Sequence, residues 1–302
     1  MPGPQRICSL LPSATEIICQ LGCGDRLVGR SAECQFPDSV RALPVVTAAR
    51  IDTSQMAGAE IDRAVREAVL DGRSLYSLDE ELIGRLEPDL VVTQDLCRVC
   101  AVSSDEVSRI RTLDVDVLAL DPHDIAGVAE SVRILAGRLG VAERGAALAR
   151  DMLERIAEVR RAVAARPRPR VFVAEWLDPP FAAGHWVPEM VEAAGGTEVL
   201  GAAGKPSVPV SWKEVAAASP ELVVAAPCGY TAERAAAEAA DAPDLGCPVV
   251  AVHADAFYSR PAPRIAEGIA QLAHLMHPDA FPEPALPAIA VQPLSPPLRA
   301  PG

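Results

Sequence analysis

Apolar residues in this chain fall into short runs separated by amphipathic stretches, the pattern of alternating strands and helices. Residues 6–11 read as a strand built on Ile7-Cys8-Ser9-Leu10-Leu11. Ser13-Ala-Thr-Glu16 then has the form of a capping box, which predicts a helix to about Leu21 that stops at Gly22-Cys23-Gly24. Asp25 to Arg30 is a second strand, and Ala59 to Leu70 has helical spacing. A helix and strand follow over 79–94, then a helix near Ser104–Arg111 and a strand at Val115–Leu120. A long helical stretch begins near His123, pauses at Gly140, runs to about Ala165 and ends at Arg166-Pro-Arg-Pro169. Arg170–Ala174 is a strand, and a helix spans about Pro188 to Ala194. Strands at Leu222–Ala226 and Val249–Val252 precede a last helix from about Pro261 to Met276. Phe281 to Gly302 is proline-rich and expected to be extended or disordered.

One pattern occurs twice. Asp79-Glu-Glu-Leu-Ile-Gly-Arg-Leu-Glu-Pro88-Asp-Leu-Val-Val92 is matched by Ser211-Trp-Lys-Glu-Val-Ala-Ala-Ala-Ser-Pro220-Glu-Leu-Val-Val224. Each is a capped helix, a proline stop and a short apolar strand. Asp25-Arg-Leu-Val-Gly29 is likewise matched by Thr197-Glu-Val-Leu-Gly201. Repetition of this kind predicts an α/β fold of two similar lobes with mostly parallel sheets joined by a long α-helix. The expected boundaries are an N-terminal lobe over 1–121, a helical connector over 122–169, a C-terminal lobe over 170–280 and a tail over 281–302. Ligands of such folds sit beyond the carboxyl ends of strands and at domain interfaces, so an interlobe cleft is the expected site.

The 302 residues suffice for two domains, and half of them are hydrophobic, enough for sizeable cores. A formal net charge of −13 argues against nucleic-acid binding, which needs a basic face. No window is long and apolar enough for a membrane helix, so no membrane insertion is expected. The start, Met-Pro-Gly-Pro-Gln-Arg, lacks the basic, apolar and small-residue parts of a secretory signal. That predicts a cytoplasmic location, with the eight cysteines held as thiols or metal ligands rather than disulfides.

With these residues in place, the chain resembles the helical-backbone, or class III, substrate-binding proteins. The resemblance rests on Leu11-Pro12-Ser13-Ala14-Thr15-Glu16, the Leu21–Arg30 turn, Glu87-Pro-Asp-Leu-Val and the helical connector, and covers residues 6 to 277. That family comprises receptors for vitamin B12, iron-siderophores, haem and some metal ions that serve ABC transporters. The opening motif most resembles the cobalamin-binding branch, in a leaderless form. The resemblance implies a non-enzymatic protein that binds cobalamin, another corrinoid or a related metal chelate. The sequence leaves open whether a transporter partner exists.

Residues that fit this reading gather near the presumed strand ends. Glu175 and Trp176 follow the first strand of the second lobe, and His185 and Trp186 follow a glycine-containing loop. The two tryptophans offer an apolar wall for a large planar ligand, or pack their loop onto the lobe. His185 is a candidate ligand for a metal, including the cobalt of a corrinoid. Tyr258 and Arg260 open the last helix, where arginine and a helix start attract anions. Arg30 and Glu33 offer polar groups from the first lobe. A competing reading starts from the Cys97-x-x-Cys100 pair, which supplies half of a zinc site or a redox dithiol. Cys34 and Cys228 are the candidate remaining ligands, which would make the chain a cytoplasmic protein for zinc or another thiophilic ion. Cys8, Cys19 and Cys23 are expected in packing roles.

Overall fold

The computed structural model describes residues 3–53, 55–95, 102, 107 and 115–292. It divides into two compact units. Unit 1 contains residues 1–56, 60–122 and 126–151, and unit 2 contains residues 57–59, 123–125 and 152–302.

The first half of the chain contributes β1 (Ile7–Ser9), β2 (Leu27–Arg30), β3 (Thr47–Ala49), β4 (Tyr76–Leu78), β5 (Leu90–Gln94) and β6 (Asp116–Leu120). Four of these form a wholly parallel sheet in the order β2-β1-β5-β6. β3 and β4 pair antiparallel beside it, an element without a clear sequence signal. Parallel strands are covered on both faces, so their sequences are near-continuous apolar runs, as in Leu90-Val-Val.

Helices α1 (Pro12–Gln20), α2 (Gly58–Leu70) and α3 (Glu80–Leu86) connect these strands. The expected capping box at Ser13 does not form. Pro12 takes the first turn of α1, Leu11 is the extended N-cap, and no side chain caps the helix. Proline lacks an N–H and has its φ already set, so it suits that position and moves Ser13 and Glu16 into the helix, where both are buried. α4 (Ile125–Arg138) and α5 (Ala142–Val163) form the long helical stretch, interrupted at Gly140, whose φ of +73° needs glycine. α5 starts in unit 1 and ends in unit 2.

The second half builds β7 (Arg170–Leu177), β8 (Pro180–Ala182), β9 (Thr197–Glu198), β10 (Val208–Pro209), β11 (Leu222–Ala225), β12 (Val249–Ala251) and β13 (Ile289–Gln292). Their order is β10-β8-β7-β11-β12-β13, with β9 parallel to the start of β7. β7, β11 and β12 run parallel, while β8 folds back on β7 as a hairpin. The tail reading changes here. Residues 289–292 add an antiparallel strand to β12, and Ile289 and Val291 pack on the unit 2 core. This four-residue stretch has no proline, and it covers what would otherwise be an unpaired sheet edge.

Helices α6 (Val187–Ala193), α7 (Trp212–Ala217), α8 (Ala232–Ala239), α9 (Ala254–Phe257) and α10 (Ile265–Met276) complete the described elements. The last helix starts later than its sequence suggests, at Ile265, because the chain turns over 262–264, and it is preceded by the short α9. Both copies of the repeat are capped as their sequences predict. Asp79 accepts from the Leu82 N–H, and Ser211 forms a full capping box with Glu214.

Candidate functional site

In unit 2 the carboxyl ends of β7, β11 and β12 carry the chemistry. Glu175 lies near the end of β7 and is partly buried. Its carboxylate accepts from the Ser207 hydroxyl at 2.6 Å and the Gly184 N–H at 3.4 Å. Its carbonyl accepts from the Cys228 N–H at 3.3 Å. Burial pushes the Glu175 carboxyl up from its usual range, and the hydrogen bonds from the Ser207 hydroxyl and the Gly184 N–H oppose that shift. This one residue therefore ties together the loops that hold His185, Ser207 and Cys228.

Trp176, beside it, is partly exposed and meets the Tyr230 ring edge-to-face at 5.3 Å. The Arg234 guanidinium lies 3.9 Å above the Tyr230 centroid. Aromatic and cation–π contacts of this kind are worth about 1 kcal/mol each and hold the indole in one orientation. His185, half-buried, has φ of +52°, rare for a residue with a side chain and costing on the order of 1 kcal/mol. Its N–H donates to the Lys205 carbonyl and its own carbonyl accepts from the Gly204 N–H, which fixes that conformation.

Arg260 pairs with Asp255 at 2.8 Å, with side chains only 11% and 22% exposed. The other Asp255 oxygen accepts from the Gly229 N–H at 3.0 Å. Asp255, in α9, thus joins the loop after β11 to the segment after β12. Its charges are shielded from water, so losing one partner leaves the other costly.

Two sequence candidates belong to the core instead. Trp186 is 5% exposed and donates from Nε1 to the Tyr258 carbonyl at 2.8 Å. Tyr258 is 1% exposed and donates its hydroxyl to Gln271 at 2.7 Å. Neither presents a surface to a ligand. The Trp186 ring lies 5.8 Å from that of His185.

In unit 1 the strand ends hold small buried polar groups. Arg30 is 8% exposed and turned inward, donating to the carbonyls of Ser31 (3.0 Å), Ala32 (3.4 Å) and Arg41 (3.1 Å). It organises the loop after β2 rather than offering its guanidinium outward. Glu33 is partly buried in that loop. Cys34 is fully buried, its thiol 3.3 Å from the Ser31 hydroxyl and donating to the Ser9 carbonyl.

The expected four-cysteine set is not assembled among the described residues. Cys97 and Cys100 lie outside them, Cys34 is packed inside unit 1, and Cys228 sits partly buried in unit 2. No group of three or more His, Cys, Asp or Glu suited to a metal occurs among the described residues. Burial, reinforced by Cys34, lifts the Cys8 thiol to about 12, and burial with the Glu16 carboxylate lifts Cys19 to about 11. Both stay protonated at neutral pH and are poor nucleophiles or ligands. Sequence reading missed Ser207, Tyr230, Asp255 and His123. Of these, Asp255 and His123 carried a signal, since each follows the end of a strand.

A pair of α/β units, one on a parallel and one on a mixed sheet, joined by a long helix and carrying polar and aromatic groups at strand ends, fits a solute-receptor architecture. The family described as periplasmic binding protein matches residues 7–244, and the chain belongs to it. The chain is 25% identical over 274 residues to the vitamin B12-binding protein of Yersinia pestis (strain Pestoides F), covering 90% of this chain and 86% of that one. Among solved structures, it is similar to a periplasmic heme-binding protein from Pseudomonas aeruginosa, with a TM-score of 0.73, 20% identity and coverage of 97% and 99%. It is also similar to the periplasmic vitamin B12-binding protein of Vibrio cholerae, with a TM-score of 0.63, 23% identity and coverage of 90% and 96%.

These findings overturn the cytoplasmic location expected from the first residues. The family and its relatives are periplasmic binding proteins, which points to the periplasm. The opening residues therefore carry no information on compartment. No helix among the described residues is long and apolar enough to cross a membrane.

Proposed function

We propose that this chain is a non-enzymatic receptor for a corrinoid or a related metal chelate, using the strand-end loops of unit 2. The observation that carries the reading is the partly exposed Trp176, held edge-on by Tyr230, at the end of a strand in the sheet whose other loops carry the fixed His185 and the Arg260–Asp255 pair. A planar chelate with polar or charged substituents needs an apolar face and a few placed polar groups. Trp176 supplies the face. His185 and Arg260 supply donors, and Glu175 holds the loops in register. The vitamin B12- and heme-binding names of the relatives support this ligand class and do not separate its members.

The test is titration with cyanocobalamin and, separately, hemin, followed by tryptophan fluorescence and calorimetry. Trp176→Ala is expected to weaken binding of the preferred chelate about tenfold or more, as for a buried aromatic anchor. Unchanged affinity in that variant would remove Trp176 from the site.

A further inference from the structure

His123 and His185 stand side by side in unit 2, with ring centroids 6.0 Å apart and planes inclined by 37°. They come from distant parts of the chain. His123 lies just past the end of β6 and is exposed, and His185 lies in the loop between β8 and α6. The backbone of His185 is clamped on both sides, its N–H donating to Lys205 at 2.7 Å and its carbonyl accepting from Gly204 at 2.9 Å. The preceding residue must be glycine, because a Cβ on Gly184 would run into the backbone of Lys205 and Ser207. On its other side the buried Trp186 ring lies 5.8 Å away and limits how far the imidazole can swing. The second imidazole is thus displayed from a fixed frame, at a left-handed position that the chain maintains at a cost.

Imidazole is the usual side-chain ligand for zinc, copper and nickel. Two imidazole nitrogens on one tetrahedral ion, each about 2.1 Å from it, lie about 3.4 Å apart and put the ring centroids about 5–6 Å apart. The observed spacing reaches that range with a small rotation of the exposed His123 ring. We propose that His123 and His185 form a two-imidazole site for a divalent transition ion of the zinc class. Each ring gives one nitrogen to the ion and keeps the other for its own hydrogen bond. Two protein donors leave the remaining positions to water or to a donor atom of an incoming molecule. The site is open and exchangeable, unlike a closed structural zinc site. It uses no cysteine and does not depend on the chelate reading.

Anaerobic titration with cobalt(II), a spectroscopic stand-in for zinc, tests it. The expected result is one saturable equivalent with visible ligand-field bands and no strong near-ultraviolet thiolate band. That equivalent should be lost in His123→Ala and in His185→Asn, asparagine being tolerant of the left-handed conformation. His123 is exposed, so His123→Ala keeps the fold and decides the matter even if the second variant is destabilised. Absence of saturable binding, equal affinity in His123→Ala, or a thiolate band in the bound form would each overturn the proposal. The site shares His185 with the chelate reading, so chelate binding is read separately with cyanocobalamin and hemin in His123→Ala, which leaves His185 in place.

Discussion

Arg6 in unit 1 and Arg170 in unit 2 make the same contact. Each stands at the start of a central strand and caps the end of the helix before the next one. Arg6 Nε donates to the carbonyls of Leu86 (3.0 Å) and Glu87 (3.1 Å), and Arg170 Nε to those of Ala218 and Ser219 (3.2 Å each). Glu87 and Ser219 both have positive φ, 45° and 47°, and both precede a proline. A residue before proline avoids the right-handed helical region, so both helices must end there. An acid then closes the turn. Asp89 accepts from the Gln5 and Arg6 N–H groups, and Glu221 from the Arg170 N–H.

The other ends of the two sheets share little. β1 has three residues and leads into a buried cluster of Ser9, Thr15, Ser31 and Cys34. β7 has eight, folds back as a hairpin, and displays Glu175 and Trp176. Duplication has preserved the contacts that build the sheet at its amino end, while chemistry differs at the carboxyl end, where ligands of α/β sheets bind.

That contrast can be broken experimentally, and the largest effect is expected in the buried core of unit 2. Trp186→Ala should lower the free energy of unfolding by about 3–5 kcal/mol in urea denaturation, through a cavity and a lost hydrogen bond to Tyr258. A loss under 1 kcal/mol, order-of-magnitude for a surface change, would mean that Trp186 is not core. Next come the paired arginines. Arg6→Ala and Arg170→Ala should each cost about 2 kcal/mol, since each removes charge-assisted bonds to helix-end carbonyls. The sharper expectation is that the two losses agree, and grossly unequal values would break the equivalence of the units.

A smaller effect separates the units by pH. Glu198 occupies the place that Arg26 holds in the first copy. Its carboxylate accepts from the N–H groups of Val173, Val199, Leu200 and Gly201. Burial lifts it from 4.5 to about 7, against the pull of those four donors. Between these values the folded chain keeps a proton that the unfolded chain has released, so stability from this group falls as pH rises. It is fully present below pH 4.5 and lost through about 7. Denaturation midpoints of wild type should therefore decline relative to Glu198→Gln between about pH 5 and about pH 8. Parallel curves would contradict the shift.

Much of this was legible in the sequence, because capping residues, proline stops and apolar runs act locally. The repeats at Asp79–Val92 and Ser211–Val224 announced both helix–strand units. Glu175 and Trp176 were legible as strand-end residues, although β7 continues past them to Leu177. Other features depend on partners that no local pattern reveals. β8 begins at Pro180, which reads as a loop because proline cannot donate to a ladder, yet one edge of a hairpin tolerates it. The inward turn of Arg30 and the burial of Trp186 and Tyr258 follow from tertiary packing. His123 follows a strand end, but its pairing with His185 is visible only in the fold.

Calorimetric titration of the wild-type chain with cyanocobalamin and with hemin tests the central claim most directly. The account predicts saturable one-to-one binding of at least one of them, weakened in Trp176→Ala. No binding of either chelate at concentrations of tens of micromolar, about −6 kcal/mol on the free-energy scale, would contradict it.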